Sequence, residues 1–99
     1  MALYVLALDV DVRIPDAGSL KDKRSTIRTI LVGSRRRFGV AAAETGLADV
    51  HQRAELGFAA AAGSAGHVAE VIDSVERFVW SFPEIEVVAC GRHWMEVER

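Results

Sequence analysis

Residues 3–14 read Leu-Tyr-Val-Leu-Ala-Leu-Asp-Val-Asp-Val-Arg-Ile, and their alternation decides the fold. The even positions Tyr4, Leu6, Leu8, Val10, Val12 and Ile14 are all apolar, while the odd positions end in Asp9, Asp11 and Arg13. A period of two sustained over this length predicts a long β-strand with one fully buried face. The odd face opens with Leu3, Val5 and Ala7, so part of it is also expected to be covered. Pro15 stops the strand, and the loop 15–18 delivers the chain to Ser19, a helix-capping residue.

From Ser19 to Phe38 the period changes. Leu20, Ile27, Ile30, Leu31 and Phe38 fall on one side of a helix, which closes at Gly39. Residues 40–44 read as a weaker strand, because alanine has low β-propensity. A connecting loop over 45–53 is followed by a strand over 54–62, broken at Gly63. The second helix has the cleanest pattern in the chain: Val68, Val71, Ile72, Val75, Phe78, Val79 and Phe82 follow helical spacing up to Pro83. A last strand runs from Ile85 to about Met95, with Ile85, Val87, Ala89 and Met95 assigned to one side, and 96–99 reads as a fraying tail.

The order strand–helix–strand, twice, predicts an α+β ferredoxin-like split βαβ domain, with an antiparallel four-stranded sheet and both helices on one face. Ninety-nine residues make a single domain over 1–99, with an ordered core over about 3–95. One cysteine, Cys90, excludes an internal disulfide, and no zinc-type spacing occurs. The apolar N-terminus lacks the basic leader of a signal peptide, and no run is long enough to span a bilayer. The expectation is a cytoplasmic protein with no membrane association.

Charge is unevenly spread. The chain carries −2 overall, yet residues 1–38 hold eight Lys/Arg and four Asp, a balance of +4. Residues 39–99 hold four Arg and ten acids, a balance of −6. Within the first helix, Lys21, Lys23, Arg24, Arg28, Arg35, Arg36 and Arg37 face a single acid, Asp22. Lys21, Arg24, Arg28 and Arg35 form a stripe beside the apolar one, about 21 Å from end to end at ~1.5 Å per residue. Arginine presents paired donors that match phosphate oxygens. Four such contacts on a single strand would give a salt slope of about −2.8. A solvated face with arginines complementing the helix dipole explains the same residues. Their number on a net-acidic chain favours an RNA-facing surface.

RNA recognition by base stacking on the sheet is not expected, because the odd face of the first and third strands offers no aromatic. That face, with Leu3, Val5, Ala7, Gly57 and Ala59, leaves an apolar patch in an open sheet. It is expected to support a homodimer, to hold a small ligand, or to be covered by the loop 45–53 or by the tail with Trp94.

The segments Ser19-Leu20-Lys21-Asp22-Lys23-Arg24, Arg37-Phe38-Gly39-Val40 with Ala43-Glu44, and Gln52-Arg53-Ala54-Glu55-Leu56-Gly57 resemble the YlxP-like family of small bacterial proteins. The resemblance covers roughly residues 3–90. It departs at His51, where the family pattern has Trp, and in the alanine-rich second strand. It implies a ferredoxin-like fold and, from gene neighbourhood, a link to ribosome maturation or translation. It implies no catalytic residue. It also singles out Gln52 and Arg53, which with Glu44 form a candidate polar loop site; the competing reading is a local polar contact that fixes register.

No catalytic constellation is present in the sequence. His51, His67 and His93 lie in different elements, and Cys90 reads as a structural thiol. Asp9 and Asp11 share a strand face, which could pair them for acid–base work, but solvation or a salt bridge to Arg13 and a neighbouring strand is the better reading. The Gly-rich anion loop of an acylphosphatase-like enzyme is replaced by acidic Pro15-Asp16-Ala17-Gly18. The expectation is a non-enzymatic accessory factor without cofactor or metal, the alternative being an oligomeric or small-ligand regulatory module that uses the open sheet face.

Overall fold

The computed structural model describes residues 1–98. Strands β1 (Ala2–Arg13), β2 (Ala41–Gly46), β3 (Arg53–Ala62) and β4 (Glu86–Glu98) alternate with helices α1 (Leu20–Phe38) and α2 (Ala65–Trp80). The sheet has the order β2-β3-β1-β4, with every neighbouring pair antiparallel. This is the α+β ferredoxin-like arrangement, with β2 and β4 at the two edges.

The even face of β1 is the centre of the core. Leu6, Leu8, Val10 and Val12 are buried against the apolar stripes of both helices, represented by Ile27 and Ile30 on α1 and Ile72 and Val75 on α2. The helix ends follow from local chemistry. Ser19 accepts the N–H of Asp22 at 3.1 Å, while the Asp22 carboxylate accepts the N–H of Gly18 at 3.1 Å. Gly39 ends α1 in the left-handed region at φ 65°, where its missing Cβ removes the steric cost, and its N–H reaches the Arg35 carbonyl.

Three elements differ from the sequence expectation. Residues Glu96, Val97 and Glu98 are not a fraying tail: they pair with Tyr4, Leu3 and Ala2, because the long β1 provides a template for an equally long partner. Arg99 lies outside the described residues. In β4, Val12 faces Val87 while Asp11 faces Ala89, so a bulge at Val88 reverses the phase of the strand. Val87 therefore lies on the helix side together with the buried Ile85, and Ala89 and Met95 lie on the open face, where a simple period had placed all four together. Third, neither Trp94 nor the loop residues Leu47 and Ala48 cover the open face, although the strand-end residues Thr45 and Arg53 of the 45–53 segment lie on that side. Trp94 faces Leu6 and shares its helix side, and Lys23 draws the loop carbonyls of Leu47 and Ala48 to that side too.

The helices meet through an aromatic cluster. Phe78 stands edge-on to Phe38 at 5.7 Å and to Phe82 at 5.0 Å. Gly33 lets α1 approach this cluster, since a Cβ there would come to 2.6 Å from Phe78 Cζ. Gly33→Ala gains up to ~1 kcal/mol of helix propensity but forces overpacking that costs about 1–3 kcal/mol. The net expectation is a thermal midpoint lowered by roughly 4–8 °C, measured by circular dichroism; an unchanged or raised midpoint would show that the ring moves aside freely.

Candidate nucleic-acid interface

The basic residues of α1 divide into three groups once the helix is docked. Lys23 is completely buried, so it cannot be the phosphate contact that its place in the basic run suggests. Its Nζ lies 2.8 Å from Glu44 Oε2 and donates to the carbonyls of Leu47 at 2.6 Å and Ala48 at 3.4 Å. The signal was present in the helical phase: Lys23 and Ser34 fall inside the apolar stripe, between Leu20, Ile27 and Ile30, and both are buried. Lys23 thereby fixes α1 to β2 and to a loop whose Leu47 holds an unfavourable φ of 61°.

Arg35 and Arg37 are partly committed. Arg35 donates to the Ala42 carbonyl at 2.5 Å, on edge strand β2. Arg37 stacks its guanidinium 4.9 Å above the Phe78 ring, a cation–π contact on the α2 side of the helix. Lys21, Arg24, Arg28 and Arg36 are exposed and make no ion pair among the described residues. Arg24, Arg28 and Arg35 line a groove of about 460 Å³ between α1 and β2, with Ile27, Leu31 and Val32 along its apolar wall and Glu44 at its edge. Because Lys23 neutralises Glu44, this groove presents positive charge with no free acid opposing it. Arg36 lines a neighbouring shallow surface with Arg28, Thr29 and Gly33. The sequence-derived stripe of Lys21, Arg24, Arg28 and Arg35 is thus kept, with Arg35 anchored, and Lys23 drops out of the wider set of candidate contacts.

The three residues of the candidate polar loop site are not brought together. Glu44 faces the helix layer to meet Lys23. Arg53 binds Asp11 on the opposite side of the sheet, one guanidinium nitrogen reaching both carboxylate oxygens at 2.6 and 2.8 Å. That partner raises the Arg53 pKa above its already high ordinary value. Gln52 lies 3.4 Å from the carbonyls of Pro15 and Ala17 and ties down the loop before α1. Each therefore makes its own structural contact, in line with the competing reading of local polar fixation.

The remaining candidates sit elsewhere. Asp9 is hydrogen-bonded to His93 across β1 and β4, and both are exposed on the open face. His51 and His67 are exposed, in the β2–β3 loop and the first turn of α2. Among the described residues no group of His, Cys, Asp and Glu is arranged to hold a metal ion, and no helix is long and apolar enough to cross a membrane. Arg92 joins β4 to α2 through Asp73 at 2.8 Å and Glu76 at 3.4 Å, so part of the acidic face of α2 is already paired.

A family model described as a protein of unknown function, DUF503, matches residues 5–92. The chain belongs to that family. It is also 38% identical over 81 residues to the uncharacterized protein YlxP of Bacillus subtilis (strain 168), covering 82% of this chain and 88% of the relative. The match spans α1 and both strand–helix–strand halves, and the YlxP-like character inferred from Ser19–Arg24 and Gln52–Gly57 is established.

Two measurements test the electrostatic assignments. Lys23→Ala leaves the Glu44 carboxylate unpaired beside the core; removing one partner of a buried pair costs ~3 kcal/mol, whereas Lys23→Met with Glu44→Leu recovers most of it. Urea denaturation should resolve this, and equal stability of the single and double variants would contradict the pairing. Desolvation pushes the Cys90 thiol up, with help from the Glu76 carboxylate. A raised pKa means less thiolate at any given pH, so alkylation at pH 8 should be slower than for a free thiol and faster in Glu76→Gln than in the native protein. Identical rates would remove Glu76 as a cause.

Proposed function

We propose that this protein is a cytoplasmic, non-enzymatic accessory factor that holds an RNA phosphate backbone against α1, in ribosome maturation or translation. The observation that carries the reading is the groove between α1 and β2. There Arg24, Arg28 and Arg35 face outward while Glu44, the acid beside them, is neutralised from below by Lys23. Lys21 and Arg36 extend the positive surface along and around the helix. Guanidinium groups engage phosphate oxygens through paired N–H donors, and backbone contacts of this kind position a nucleic acid without reading its sequence. Among the described residues the open sheet face carries no Phe, Tyr or Trp, and its His93 ring is hydrogen-bonded to Asp9, which supports a backbone mode over base stacking. The connection to ribosome maturation rests on the family resemblance, and ribosomal RNA or a ribonucleoprotein is the partner it suggests.

The deciding experiment is retention of RNA by the full chain from native lysate at low and moderate salt, with and without nuclease. The native protein should retain nuclease-sensitive material that is released as salt rises. Arg24→Glu with Arg28→Glu should abolish retention, and neutral Arg24→Gln with Arg28→Gln should lower the salt slope by about 1.4. Retention unchanged by these substitutions, in proteins that still fold, would end the reading.

A further inference from the structure

The open face of the sheet is divided by size as well as by polarity. Strand register sets the side chains in rows. Leu3 lies beside Val97, and Val5 beside Met95 and Ala61. The next rows hold Ala7 with Ala59 and Ala41, then Asp9 with Gly57, Gly91 and Ala43. Beyond them come the charged rows of Asp11, Arg13, Arg53 and Glu55. Thus one end of the face is bulky and apolar, with Leu3 42% and Met95 55% exposed. The middle is a floor of alanine and glycine that forms a shallow concavity of about 380 Å³, walled on one side by His93.

We propose that this face is a homodimer interface in which the bulky end of each protomer fills the small-residue floor of the other. An isologous contact needs a surface complementary to itself, and knobs at one end with a hollow beside them meet that requirement. The two-fold axis lies in the interface, crosses β1 between Val5 and Ala7, and runs oblique to the strands. Rotation about it carries Leu3 of one copy over Ala41 and Ala43 of its partner, and Met95 over Ala7.

Charge supports a second copy as the occupant. Among the described residues the only carboxylate on the floor, Asp9, is already hydrogen-bonded to His93, and the next one, Asp11, is held by Arg53. The contact therefore covers no carboxylate that lacks a hydrogen-bond partner, and the charged rows remain at its rim. At ~4.8 Å between strands and ~3.4 Å per residue, the rows from Leu3 to Asp9 make a footprint of about 420 Å² per protomer. The total of about 850 Å² is that of a weak, transient interface, so the dimer dissociates on dilution. The basic groove of α1 is on the other layer and stays open in this assembly.

Sedimentation velocity of the full-length chain over about a hundredfold range of concentration tests the proposal by mass action. The sedimentation coefficient should rise with concentration toward that of a dimer. Leu3→Lys with Met95→Lys, or Ala43→Glu alone on the floor, should leave a monomer with an unchanged circular dichroism spectrum. Geometry is tested in a Cys90→Ser background by mixing Leu3→Cys with Ala43→Cys chains. Oxidation should cross-link the two kinds to each other in preference to either with itself. A wild-type monomer at every concentration would overturn the proposal, as would a dimer that survives the substitutions at both ends, or native mass spectrometry showing a small molecule seated on a monomer.

Discussion

A buried ammonium organises this molecule. Lys23 sits in the apolar stripe of α1, fully removed from solvent, and satisfies its charge on Glu44 of β2 and on two carbonyls of the following loop. Taking an ammonium out of water costs several kcal/mol unless its partners are in place, so α1, β2 and the loop can close only in one mutual arrangement. The groove beside them inherits its shape and its sign from that closure. With Glu44 neutralised from below, the outward arginines lack an opposing acid, and Arg35 is anchored to the β2 carbonyl of Ala42.

Elsewhere, charge is consumed in joining strands and layers. Arg92 ties β4 to α2, Arg53 ties β3 to β1, and His93 ties β4 to β1. These contacts are half-exposed or, at His93 and Asp9, exposed, and individually each contributes little to stability. Their effect is on what remains available to a partner. The acidic helix α2 loses part of its face to Arg92, Asp11 at the sheet's polar end is held by Arg53, and Lys21, Arg24, Arg28 and Arg36 on α1 stand without ion pairs among the described residues. The two faces of the domain consequently differ in chemistry: a basic surface on the helix layer, and an apolar, size-graded surface on the sheet.

Much of this was legible in the chain. The alternation of residues 3–14 and the helical spacing of 68–79 each admit one element type, and Ser19 and Gly39 bracket α1 by local capping chemistry. The DUF503 membership follows from residues spread across the same elements. The candidate site was less legible, and the reasons are specific. Lys23 was hidden by its neighbours, because a run of basic residues suggests exposure while helical phase places this one inward. Glu44, Gln52 and Arg53 are close in sequence, but strand alternation and loop direction send them to different places. Val88 adds one residue to β4 and turns its later side chains over, an effect no period read along a single strand reveals.

Sequence alone determined the element types, their order, the apolar faces and the concentration of positive charge in α1, because these depend on local period and composition. Tertiary structure decided which of those charges are available. Whether an ammonium meets water or a carboxylate depends on the distance between segments that only packing brings together, as Lys23 and Glu44 are brought together 2.8 Å apart across twenty intervening residues. The same holds for the open face, where large residues of β1 and β4 end up beside small ones of β2 and β3 through strand pairing.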